Sequence, residues 1–263
     1  LPHHSFIQTP EMAKLLSKRG AKTRFIGLEK EGDLKVAAMI FSQKVAGGWR
    51  MELNAGPNTN FPEYLEDFYS QLKNYAKEHQ VIECIVKPYD IYQSFDATGK
   101  PTNQANSKLI DLLTKLGYQH DGLKTGYPDG EPVWHYLKSL EGMNSQDVIK
   151  TFSKTGKLHT KRAEKFGIQI SQLSRDELKV FKHLTASTSD RQAFDDKSLD
   201  YYQDFYDAFG ETAAFMVARL NFKSYLESLQ PEKDKLDAQI TRLQETIQTN
   251  PCLLYTSDAA DER

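Results

Sequence analysis

The sequence predicts an α/β fold of the α+β kind, a mixed sheet with flanking helices, followed by part of a second such unit and one long solitary helix. Three observations carry this expectation. Period-2 and period-3.6 apolar patterns take turns up to about residue 141, the succession starts again after 142, and residues 222–247 change to a heptad pattern.

In chain order, alternating apolar residues in "TRFIGLEK" and "LKVAAMIFSQ", separated by "EGD", predict a hairpin, and "WRMELN" predicts a third strand closed by the turn "AGPN". In "FPEYLEDFYSQLKNYAKEHQ", Tyr64, Leu65, Phe68, Leu72, Tyr75 and Ala76 recur at helical spacing, with Pro62 near the start. "VIECIVK" reads as a buried strand, "ANSKLIDLLTKLGY" as a helix stopped by Gly117, and "VWHYLKSL" as a return to strand.

Beyond residue 142, "NSQDVIKTFS" and "KLHTKRAEKFG" predict helices, the first capped by Asn144 or Ser145. "IQISQL" predicts a strand, and "SRDELKVFKHLTAST" a helix opened by a capping box from Ser174 to Glu177. "LDYYQDFYDAFG" predicts a helix ended by Gly210, and "TAAFMVARL" a strand. This stretch has helices and two strands but no complete sheet. The expected organisation is a first domain at 1–141, the front part of a second at 142–221, one arm helix at 222–250 and a tail at 251–263.

The arm helix places Phe222, Leu226, Leu229, Leu236, Ile240, Leu243 and Ile247 in steps of 3, 4 or 7, interrupted by Lys233. So narrow a seam calls for a partner helix, most simply an antiparallel one; the plain alternative is packing on its own domain.

Composition bounds the function. At 263 residues, 39% hydrophobic and 27% charged, the chain suffices for one large or two ordinary domains. No run of 18 apolar residues occurs, and the start lacks the pattern of a secretory signal. Its first residue is Leu, so the N-terminus reads as incomplete or processed. Cys84 and Cys252 fit a reducing cytosol and cannot make a CxxC metal or redox site. A net charge of −2 argues against a strongly basic nucleic-acid binder and leaves room for a local basic patch. No Gly-x-Ser-x-Gly elbow or Cys-His pair stands out, the seven His are scattered, and no Gly-rich phosphate loop supports a coenzyme A acetyltransferase.

The segments "FIQTPEMAKLL", "VIECIVKPYDIYQSFDATGKP", "KLGYQHDGLKTGYPDGEPVWHYLKSL", the run from "KTGKLHTKRAEKFG" to "LDYYQDFYDAF", and "VARLNFKSYLESL" together resemble the FemABX family, in particular its FemA and MurM/MurN branches. The resemblance implies two acetyltransferase-like (GNAT-like) domains with a coiled-coil arm inserted in the second. It implies transfer of Ala, Ser or Gly from aminoacyl-tRNA to the lysine side-chain amine of a lipid-linked or UDP-linked muramyl pentapeptide precursor, building the peptidoglycan interpeptide bridge. Such an enzyme is cytoplasmic, touches the inner membrane face peripherally, and uses no cofactor or metal beyond aminoacyl-tRNA as co-substrate. Against that template the chain is expected to stop midway along the arm. "CLLYTSDAADER" then reads as a non-native tail, with a short natural disordered tail as the alternative. The family's aromatic-Lys pair nearest the reaction has no counterpart, so catalytic residues stay unassigned and the fragment is expected to be inactive.

Because an aminoacyl ester is activated, the enzyme has chiefly to juxtapose two substrates and stabilise an oxyanion. Helical spacing puts Lys154, Lys157, Lys161 and Lys165 on one face, with Arg162 beside them. From spacing alone this is either a solvated face or a phosphate site; the resemblance favours contact with the precursor's phosphates, with Lys157 where relatives often carry Arg. After "VIECIV", Lys87, Tyr89, Asp90 and Tyr92 are candidates for the peptide stem. Relatives often have Asp-Pro where this chain has Lys87-Pro88, so Asp90 is the substitute carboxylate. In "RQAFDDKSLDYYQDFY", which also supplies Arg191 and Asp195, Tyr202 is expected to pack and Tyr201 to reach substrate. Met12 and Leu16 stand where the family tends to have Trp and Lys, leaving Lys14 or Lys18 to restore the charge. A rival from another class is a non-catalytic RNA- or partner-binding module that dimerises through its last helix.

Overall fold

The computed structural model describes residues 4–124, 126 and 133–249; the expected tail at 251–263, with Cys252, lies outside them. Contacts divide the chain into two compact units, one of Leu1–Tyr136 with Ser174–Ala214, the other of Leu137–Leu173 with Phe215–Arg263. The stretch 142–221, read from the sequence as contiguous, is thus shared between both.

The first unit is built on the expected hairpin. Strands β1 (Lys22–Lys30) and β2 (Asp33–Val45) are antiparallel, and Glu31 and Gly32 turn between them at φ 54° and 82°, the left-handed pair a two-residue hairpin needs. β3 (Gly48–Asn54) continues antiparallel to β2, while β4 (Asn58–Thr59) pairs β2 farther along. β5 (Val81–Lys87) adds to β3 in parallel, so the sheet is mixed, in the order β1-β2-β3-β5.

Alternation along β2 sends its side chains to two apolar layers. Val36, Ala38 and Ile40, with Met51 and Leu53, meet Phe68, Tyr69, Leu72 and Ala76 of α2 (Leu65–Glu78). Leu109 and Leu113 of α3 (Lys108–Lys115) pack at the margin of that layer. Met39 and Phe41 point the other way. They meet Met12, Ala13 and Leu15 of α1 (Pro10–Lys18) and Phe205 and Phe209 of α7 (Leu199–Phe209). Helix α6 (Leu178–Gln192), opened by the expected Ser174–Glu177 box, precedes α7 in the same unit.

Two expected strands differ. "VIECIVK" is a strand but not a buried one: β5 ends the sheet, and Ile82 is 58% exposed. "VWHYLKSL" is irregular rather than a strand, with Tyr136 and Leu137 in solvent; its alternation suits a strand, but no described strand pairs with it. Helix α1 was not anticipated, although Thr9 caps it and Pro10 opens it.

In the second unit, α4 (Ser145–Lys150) is capped by Asn144, completing a box with Asp147. α5 (Lys154–Lys165) follows, and β6 (Gln169–Gln172) pairs antiparallel with β7 (Met216–Arg219), shorter than expected. α8 (Phe222–Thr249) runs through Pro231 with Leu226, Leu236, Ile240 and Leu243 each more than half exposed.

Candidate functional site

Helix α5 gathers the strongest charge. Ser153 caps it by accepting the Gly156 N–H at 3.1 Å. At 3.6 residues per turn, Lys154, Lys157, Lys161 and Lys165 fall within an arc of about 80°. The half-buried Gly156, Thr160 and Ala163 lie on the opposite side, which is why the cations face water. Lys165 is tied to Glu232 of α8 at 3.7 Å, and Phe166 packs edge-on against Tyr225 at 5.2 Å. Lys154, Lys157, Lys161 and Arg162 have no ion-pair partner among the described residues. Like charges one turn apart repel, so this surface gains from an anion laid across it.

The residues after β5 belong to the first unit. Lys87 is committed to Glu52 at 3.0 Å, a carboxylate only 13% exposed, so its charge neutralises a neighbour before it reaches any ligand. Tyr89 is exposed and meets His135 edge-on at 6.4 Å. Asp90 is exposed and accepts the Ile91 N–H at 3.0 Å. Tyr201, on α7, lies under the guanidinium of Arg19, 3.9 Å from the ring centroid, and its carbonyl accepts from Arg19 at 3.2 Å. Tyr202 packs edge-on to Phe181 at 5.1 Å and donates to Asp196 at 3.0 Å.

Met12 is buried against the sheet, as an apolar residue there should be. Lys18 binds Asp204 at 2.6 Å and lies 3.9 Å from Asp207, which also holds Arg175 through two bonds at 2.5 and 2.9 Å. Lys18 therefore fastens α1 to α7, leaving Lys14 as the member of that pair with no ion pair among the described residues. Sequence reasoning missed Gln8, Arg19 and Arg175, whose roles rest on partners 31, 182 and 32 positions away.

Nucleophilic chemistry finds little support. Burial pushes the Cys84 thiol up to about 11, which keeps it protonated at neutral pH. Among the described residues no group of His, Cys, Asp and Glu is placed to hold a metal ion, and no helix is long and apolar enough to cross a membrane.

Likeness to known proteins is decisive for the lineage. The FemAB family pattern matches residues 1–260. The chain belongs to the FemAB family. Among FemAB relatives, aminoacyltransferase FemA of Staphylococcus aureus strain MRSA252 is 26% identical over 262 residues, covering 95% of this chain and 61% of the relative. FemA of strain bovine RF122 / ET3-1 matches at the same identity and coverage. The crystal structure of FemX superposes with a TM-score of 0.67 at 19% identity, over 98% of this chain and 63% of FemX, and shows the shared fold. The chain spans about three fifths of the length of these relatives. The FemABX resemblance and mixed α/β architecture expected from the sequence both stand.

Proposed function

We propose that this FemAB chain belongs to a peptidoglycan-bridge aminoacyltransferase, which moves Ala, Ser or Gly from aminoacyl-tRNA to the lysine side-chain amine of a lipid-linked or UDP-linked muramyl pentapeptide. The lysine nitrogen attacks the ester carbonyl, an amide bond forms, the bond to the tRNA ribose oxygen breaks, and the amine proton leaves with that oxygen or solvent. No resident cofactor takes part, and the enzyme works in the cytoplasm at the inner membrane face.

The observation that carries the reading is the solvated cationic face of α5, where Lys154, Lys157 and Lys161 stand without carboxylate partners among the described residues. Its assigned role is to grip the precursor's phosphates, with Arg162 at the helix end adding a forked donor. Tyr89, Asp90 and Tyr201 are assigned to the peptide stem; Lys87 acts by fixing Glu52.

Calorimetric titration of the chain with UDP-linked pentapeptide tests this. Saturable binding that weakens with salt, and about tenfold in Lys157→Gln/Lys161→Gln, is expected. Equal affinity of that variant and the parent, or no binding of either precursor form, overturns it.

The exposed apolar seam of α8 favours one second reading, a non-catalytic RNA- or partner-binding module paired through that helix. Sedimentation showing a dimer that binds RNA and ignores the precursor would favour it.

A further inference from the structure

At the end of the sheet away from Lys87, where β3 and β5 begin, a cavity of about 450 Å³ opens between β1, β3 and the end of α2. Lys22, Arg24, Ser42, Trp49 and His79 line it together with Tyr75, and no Asp or Glu does. Lys22 and Arg24 alternate on β1, so their side chains leave the same face about 6.5 Å apart. Neither is held by a carboxylate among the described residues: Lys22 Nζ is 4.0 Å from the Trp49 centroid, and Arg24 donates to the Tyr75 hydroxyl at 2.9 Å. The remaining guanidinium N–H groups of Arg24 are left for a ligand.

His79 stacks on Tyr75 at 4.0 Å, with Nδ1 2.8 Å from the Tyr75 carbonyl oxygen. That carbonyl can only accept, so Nδ1 carries the proton and Nε2 is the free nitrogen. The His79 amide takes the carbonyls of Tyr75 and Ala76, which blunts the negative end of α2 at this point. Lys44, paired in register with Trp49, projects a further cation from the same face. The volume suits a small organic molecule. Two cations beside the Ser42 hydroxyl suit a phosphate, and the Trp49 and Tyr75 rings, with Ile40 and Met51 beneath, offer apolar surface to what the phosphate is attached to.

We propose that this cavity binds a small phosphorylated molecule of nucleotide size, at a site separate from α5 and independent of the function proposed above.

Titration of the full chain with AMP and with adenosine, read by the Trp49 indole and Arg24 Nε–H resonances in nitrogen-15 NMR, tests it. Saturable shifts with AMP at a Kd below about 1 mM are expected, with adenosine at least about tenfold weaker. Arg24→Gln should weaken AMP about tenfold. Ser42→Glu, which keeps both cations but places a carboxylate directly across from Lys22, should abolish binding with the melting temperature unchanged. Lys157→Gln should bind AMP as the parent does. No saturable shift with AMP, equal affinity for adenosine, or undiminished binding in both Arg24→Gln and Ser42→Glu overturns the proposal.

Discussion

Gln8 binds Met39 as a neighbouring strand would: its side-chain oxygen accepts the Met39 N–H at 2.7 Å, and its amide nitrogen donates to the Met39 carbonyl at 3.0 Å. The same nitrogen lies 2.6 Å from the Asn54 carbonyl, where β3 leaves β2. Gln8 is 8% exposed, so one side chain satisfies buried backbone groups at a gap in the sheet. Gln8→Ala should destabilise the first unit by about 2–4 kcal/mol, since the groups it leaves behind lose their partners. A urea midpoint shifted by less than a quarter of that would show that the gap closes without it. Gly56→Ala should act on the same contact, because an added Cβ would sit 2.8 Å from the Gln8 amide.

The clasp between α1 and α7 makes stability depend on acid. The Arg175 guanidinium, through its hydrogen bonds and then its charge, holds Asp207 below the usual carboxylate range, and Lys18 adds to this. A carboxyl lowered by folding stabilises above its unfolded value near pH 4 and loses that contribution as pH falls through the folded value. Melting temperatures should therefore fall on that acid limb, and Asp207→Asn should flatten it. An unchanged limb in the variant would remove Asp207 from the account.

Tyr69 is fully buried, and its hydroxyl has no hydrogen-bond partner among the described residues. Burial, then the neighbouring Tyr118, pushes its ionisation well above the ordinary phenol range. Tyr69→Phe keeps the ring contacts with Phe68 and Tyr118 and should stabilise by about 1 kcal/mol. Measurable loss of stability in a chemical melt would mean that the hydroxyl has a partner after all.

The seam of α8 should be silent within a single chain. Leu236 and Leu243 are 51% and 63% exposed, so Leu236→Lys/Leu243→Lys should leave the melting temperature unchanged at low concentration and abolish self-association at high concentration. A drop of several degrees in dilute solution would show the seam packed internally.

The sheet was legible because its hairpin carries alternation and turn chemistry together: Leu28, Val36 and Ile40 alternate toward α2, and the Glu31-Gly32 turn fits two residues. Capping signals narrowed the start of α4 to Asn144 or Ser145, of which Asn144 is the cap, and located the turn entering α6 at Ser174. Apolar content misled where neighbours decide burial, as with Ile82 on an edge strand and Leu137 beside no described strand. The α5 cations could be read from spacing because they share one helix. Lys87 could not, because Glu52 reaches it across the sheet from a strand far back in the chain. The split between Tyr201 and Tyr202 followed helical period, which says which ring turns inward but not that Arg19 covers the other.

The first unit borrows its last layer from downstream. Its strands are all synthesised by Lys87, yet Phe205 and Phe209, which cover Met12, Leu15 and Met39, come only after the chain has passed through residues 137–173 of the other unit. During vectorial synthesis α1 can cover this side of the nascent sheet only in part until α7 emerges, an interval in which chaperone binding or misassembly competes with completion. A polypeptide ending at residue 141 would hold every described strand of that sheet and α1 upon it, and still leave Met12, Leu15 and Met39 without Phe205 and Phe209.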